Sequence, residues 1–120
     1  NWLADYWKLW AVLASAHNRI GEHEEARECA ERLINIFPGC EPAYVELMAA
    51  LNALGRNDDA YNVMRFAAGQ MPQSLGIHVN LVLAANRAGH KDEAKNLAQQ
   101  IRDAVGPNEE LDKVFAELEQ

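Results

Sequence analysis

The chain has 120 residues, 49% apolar and 24% charged, a globular balance that argues against disorder and suits one domain or a short array of repeats. Its net charge of −7 argues against nucleic acid or an anionic bilayer as the main partner. No apolar run approaches the ~20 residues of a membrane span, no secretory leader opens the sequence, and two cysteines do not make a disulfide scaffold.

The sequence begins Asn-Trp-Leu without methionine, inside what reads as a helix over residues 2–20, so a piece of a longer protein is expected. Trp2, Tyr6 and Trp7 crowd its start. They either pack back on the first helices or form an end surface for a preceding repeat or a second copy of the chain. Apolar residues then recur at Trp10, Leu13, Ala14 and His17, and Gly21 ends the helix. A second helix spans 22–37 on the stripe Ala26, Cys29, Ala30, Leu33, Ile34 and Phe37, stopped by Pro38. A third, 41–54, takes Pro42 in its first turn, buries Tyr44, Leu47, Met48 and Leu51, and ends at Gly55. A fourth, 57–71, carries Ala60, Val63, Met64, Ala67, Ala68 and Met71 before Pro72. The fifth, 75–88, is N-capped by Ser74 and presents His78, Leu81, Val82 and Ala85. The sixth, 91–105, presents Ala94, Leu97, Ala98, Ile101 and Val105. The steps of three and four residues are those of amphipathic helices, and no two-residue alternation suggests a strand. A seventh helix, 109–119, puts Leu111, Val114, Phe115 and Leu118 on one face, and its other residues give it a net charge of −4.

These landmarks share one period. Gly21, Gly55 and Gly89 lie 34 residues apart, as do Ala26, Ala60 and Ala94, and Asn18, Asn52 and Asn86. Pro38 and Pro72 repeat at the same interval, with Gly106 and Pro107 in the third slot. The 34-residue unit resembles the tetratricopeptide repeat. The positions that carry the resemblance are Trp10, Leu13, Ala14, His17, Ala26, Ala30 and Pro38, then Tyr44, Leu47, Met48, Leu51, Ala60, Met64 and Pro72. In the third repeat they are His78, Leu81, Val82, Ala85, Ala94 and Ala98. The resemblance implies an all-α fold, a right-handed α-solenoid of helix-turn-helix hairpins. It forms a single domain with repeats at about 7–40, 41–74 and 75–106 and a closing helix at about 109–119. One hairpin cannot bury its apolar face alone, so neighbours must stack, and the acidic last helix covers the end of the stack.

No residues converge as an acid, base or nucleophile, so no enzyme, metal or cofactor is expected. His17 and His78 fill packing positions, whereas His23 and His90 follow turn glycines and should be solvated. Cys29 points into its helix's core stripe. Cys40 lies in a loop, too far along the chain from Cys29 for a bridge, and Glu41 beside it does not activate a thiol. The acids Glu22, Glu24, Glu25, Glu28 and Glu31, interleaved with Arg27 and Arg32, read as a solvated helix face.

By resemblance, the first helix of each repeat lines a concave surface that binds peptides. The stripe left over there includes Lys8, Ala11, Ser15, Asn18 and Arg19, then Val45, Ala49 and Asn52, then Val79, Leu83, Asn86 and Arg87. Its centre is small and apolar. The asparagines either hold the backbone of a bound segment, since amides both donate and accept, or cap the helix ends. Arg19 and Arg87 would favour acidic flanks. The slots that hold a carboxylate clamp in chaperone-adaptor relatives are here Ala11, Ser15, Glu46, Gly76 and Asn80, so acidic chaperone tails are not expected. The implied function is a protein-interaction module that holds a partly apolar peptide or protein segment, as part of a larger scaffold or assembly protein. Alternatives are a homodimer formed through exposed repeat ends and a bacterial secretion-type chaperone. A cytoplasmic location is only the default expectation.

Overall fold

The fold is seen in a computed structural model that describes residues 6–120; Trp2 lies outside the described residues. Among the described residues seven α-helices follow one another: α1 Tyr6–Arg19, α2 His23–Ile36, α3 Glu41–Ala53, α4 Asn57–Gln70, α5 Leu75–Arg87, α6 Lys91–Val105 and α7 Glu109–Phe115. No strand occurs among the described residues. The chain is an all-α solenoid in which α1 and α2, α3 and α4, and α5 and α6 form successive hairpins.

The turns inside the hairpins are copies of one another. Gly21, Gly55 and Gly89 have φ of 84°, 78° and 92°, a left-handed conformation that a side chain would strain. After each glycine the next N–H donates back across the turn: Glu22 to His17, Arg56 to Leu51 and His90 to Ala85, each at 2.8 Å. These bonds satisfy carbonyls that a helix end would otherwise leave without a partner. Pro38 and Pro72 follow α2 and α4 as expected, while Gly106, with φ of 83°, ends α6. Ser74 caps α5 by accepting from the Ile77 N–H at 3.1 Å, and Asn108 caps α7 by accepting from Leu111 at 2.9 Å.

Small residues set how closely the hairpins stack. Ala14, Ala26, Ala30, Ala60, Ala67, Ala94 and Ala98 are all fully buried, which lets helix backbones approach. Tyr44, Met64, Ile77 and Val82 fill the spaces between them. The Tyr44 hydroxyl donates to the Pro38 carbonyl at 2.7 Å, so a large ring is buried without an unpaired polar end. α3 packs on both α1 and α2, and α5 on both α3 and α4.

The seventh helix is shorter than its apolar spacing suggested. It gives way after Phe115 to a 3₁₀ turn, Ala116–Glu119. The tighter turn brings both Phe115 and Leu118 into the core, where they are buried.

Candidate protein-binding groove

The first helices leave a hollow of about 300 Å³ between α1 and α3, lined by Ala11, Ser15, Glu41, Pro42, Val45 and Glu46. Three residues of the expected stripe, Ala11, Ser15 and Val45, therefore meet there. Ala49 is exposed further along α3, and Leu83 is half-buried on α5. Val79 is also half-buried but leans on the core between the hairpins. Lys8 sits 5.8 Å from the centre of the Trp7 ring, and Arg19 is exposed. Two carboxylates face the same hollow. Glu41 accepts from the Ser74 hydroxyl at 2.8 Å, and Glu46 lies 3.4 Å from the Asn18 amide nitrogen.

The asparagines act inside the chain. The Asn18 amide donates to the Glu46 backbone carbonyl at 3.0 Å, and its oxygen lies 3.0 Å from His23 Nδ1. Asn86 repeats this pattern: it reaches the Glu117 carbonyl at 3.5 Å and accepts from Lys91 at 3.2 Å. These two side chains neither cap helix ends nor face outward; each ties its repeat to the next element. Arg87 is likewise engaged, forming a fork of 3.1 and 2.9 Å on the Glu117 carboxylate. Asn52 differs, because both polar atoms of its amide are buried without a partner among the described residues.

Of the expected end-surface residues, Tyr6 is half exposed and packs edge-on against Trp10. Trp7 instead turns inward, edge-on to Phe37 at 5.3 Å and against the cluster of Leu33, Cys40 and Ala43, which joins its hairpin to α3. His23 is half-buried rather than solvated, and exposed His90 stacks on Tyr61 with ring centres 4.2 Å apart. Cys40 is buried at the start of α3, and burial pushes its thiol pKa up. The α2 acids form a surface ladder in which Arg27 pairs with Glu24 and, at 2.8 Å, with Glu31. Arg27 holds the Glu24 carboxyl below its ordinary range. No cluster of three His, Cys, Asp or Glu that could hold a metal occurs among the described residues. Nor is any helix among them long and apolar enough to cross a membrane.

Two apolar surfaces escaped the sequence reading. On the opposite side from the first-helix hollow, between α2 and α4, runs a furrow of about 460 Å³ lined by Ile34, Tyr44, Leu47, Val63 and exposed Phe66. Phe66 stands off its helix's core stripe, and a large aromatic in such a position is the signal that could have found the furrow. The other surface is the outer side of α1, where Leu9, Val12 and Ile20 are exposed.

Comparison with known proteins places this geometry. A family model described as the bacterial transcriptional activator domain matches residues 5–88. A crystal structure of the Yersinia enterocolitica type III secretion chaperone SycD, in complex with a peptide of the translocator YopD, superposes with a TM-score of 0.78 at 16% identity. That match covers 96% of this chain and 88% of the chaperone chain. A second structure of SycD gives a TM-score of 0.79 at 16% identity over 97% and 87% of the two chains. At this identity the likeness is one of fold. No curated protein sequence matches the chain. The tetratricopeptide resemblance thus stands as helical-repeat architecture, and the family that the match shows is the bacterial transcriptional activator domain.

Proposed function

The chain belongs to the bacterial transcriptional activator domain family, and on that premise we propose that it is the protein-contact part of a bacterial regulator. It holds a partly apolar segment of a partner on the surface of α1, α3 and α5. The observation that carries this reading is the hollow where Ala11, Ser15, Pro42 and Val45 meet: small side chains leave room for a bound chain, and their apolar atoms reward its burial. The net charge of −7 favours a protein partner over DNA. A second reading, a secretion-type chaperone, is supported by the fold shared with SycD, whose structure contains a translocator peptide. Both readings use the same groove.

The experiment is selection of random peptides displayed on phage, followed by binding to variants. Val45→Glu and Leu83→Glu place charges on half-buried positions outside the main core. Selected peptides should carry aliphatic residues and bind these variants at least ~10-fold more weakly, with melting temperatures little changed. Peptides that tolerate both substitutions but are lost on Phe66→Glu would move the site to the furrow between α2 and α4 and refute the groove.

A further inference from the structure

Among the described residues three carboxylates are half-buried: Glu41, Glu46 and Glu117. Glu117 is answered by the Arg87 fork. Glu41 and Glu46 both line the hollow between α1 and α3, and neither forms an ion pair with any described residue. The donors that reach them are uncharged: the Ser74 hydroxyl for Glu41, and for Glu46 the Asn18 amide at 3.4 Å. A carboxylate has about four acceptor positions, so both keep capacity for a further donor. Holding a carboxylate partly out of water without a countercharge is unfavourable, and the repeat architecture does not demand it. The 34-residue register puts Trp7 and Leu75 at the position of Glu41, and Val12 and Asn80 at that of Glu46.

The remaining lining is Ala11, Ser15, Pro42 and Val45, so a largely apolar wall stands beside two carboxylates and the lining has no basic residue. Lys8, a turn before Ala11, has its own contact over the Trp7 ring. Arg87, expected from the sequence to attract acidic flanks, is already held by Glu117. We propose that the hollow takes a lysine or arginine side chain of a partner protein's segment, an inference that rests on the groove reading above. The methylene stem packs on Ala11, Pro42 and Val45, and the cationic head meets Glu41 and Glu46. Long basic side chains alone join such a stem to a cation. Because only α3 carries these carboxylates, the basic residue is fixed at the first-to-second hairpin end of the groove, with aliphatic residues following toward Leu83. A net charge of −7 attracts a basic segment and sets a second copy of the chain at a disadvantage.

The probe is a library of short random peptides displayed on phage and selected on the wild-type chain, the enriched sequences then being synthesised with a fluorescent label. They should carry one lysine or arginine beside aliphatic residues. Replacing that residue by norleucine, which keeps the stem and removes the charge, should weaken binding about 10-fold. Glu46→Gln should cost a similar factor, and the two losses should not add when combined. Glu41→Gln, whose amide oxygen can still accept from Ser74, should behave alike. Added salt should shrink the norleucine effect. Gln replaces Glu at nearly equal size, and unaltered thermal melts check the fold. Enriched peptides without a basic residue overturn the proposal, as does a norleucine loss that persists in full in both Gln variants. If either occurs while Leu83→Glu abolishes binding, the groove reading stands and this inference alone falls. A protein-only mass that doubles with concentration and reverts on Glu46→Gln would make a second copy the occupant and overturn it. So would failure of the intact protein to bind peptides that the 120-residue chain binds, since a segment of the same polypeptide would then fill the hollow.

Discussion

Replacing Gly76 with alanine should destabilise the protein, although the change normally favours a helix. Gly76 lies in the first turn of α5, where Glu41 of α3 reaches across to the Ser74 hydroxyl. A Cβ at position 76 would overlap Glu41 Oε1, with the carboxyl carbon at 3.5 Å, so the carboxylate must leave. Glycine to alanine in a helix gains ~0.5–1 kcal/mol, less in a first turn. Displacing Glu41 forfeits a charge-assisted hydrogen bond, ~1–1.5 kcal/mol at this partly exposed site. It also removes a carboxylate from a helix N-terminus, worth ~0.3–1 kcal/mol. The loss outweighs the gain, giving net destabilisation of ~1 kcal/mol and a fall in Tm of about 4 °C. In a Glu41→Ala background nothing is displaced, and Gly76→Ala should stabilise by ~0.5 kcal/mol. Urea denaturation of the wild type, both single mutants and the double mutant measures the coupling directly. An equal effect of Gly76→Ala in both backgrounds, or stabilisation in the wild type, would refute the reasoning.

The asparagines and Tyr61 give further tests. Asn18→Ala removes a bond between repeats and should cost ~1 kcal/mol, whereas Asn52→Ala removes an amide without partners and should be neutral or stabilising; equal losses in denaturant melts would contradict the geometry. Tyr61 donates to Glu93, and that bond, then burial, raises its pKa above the ordinary value. Its contribution to stability is complete below the unfolded pKa of ~10 and is lost as pH rises through the folded value. Tyrosinate absorbance should show two late-titrating phenols, Tyr61 and Tyr44, the latter raised by burial, and Glu93→Gln should shift one of them earlier; an unshifted titration would place Tyr61 elsewhere.

The period made most of the architecture legible. Glycines that need positive φ and prolines that end helices act locally, so their spacing located the turns and the hairpins. Ala11 and Ser15 share a face of α1 because they lie one turn apart, and Val45 of α3 lines the same hollow. What escaped were choices between neighbours. Asn18 and Asn86 read as either partners of a bound segment or helix caps, because no sequence pattern reveals a backbone carbonyl 28 or 31 residues away. Trp7 turned inward because Phe37 presents a ring to it and the buried cluster of Leu33, Cys40 and Ala43 lies beside it. Leu9 shares a register position with Ala43 and Ile77 yet is half exposed where they are buried, a difference that the period alone does not reveal.

The joint between the second and third hairpins is fastened at both ends, by different means. Glu41 of α3 grips Ser74 at the start of α5. At the other end Asn52 holds nothing, and Tyr61 of α4 takes over, donating to Glu93 and stacking on His90. Between the first and second hairpins that end is clasped instead by Asn18 of α1 on the Glu46 carbonyl. The clasp thus passes from the first row of helices to the second along the stack, so the two joints answer to different side chains and can be loosened one at a time.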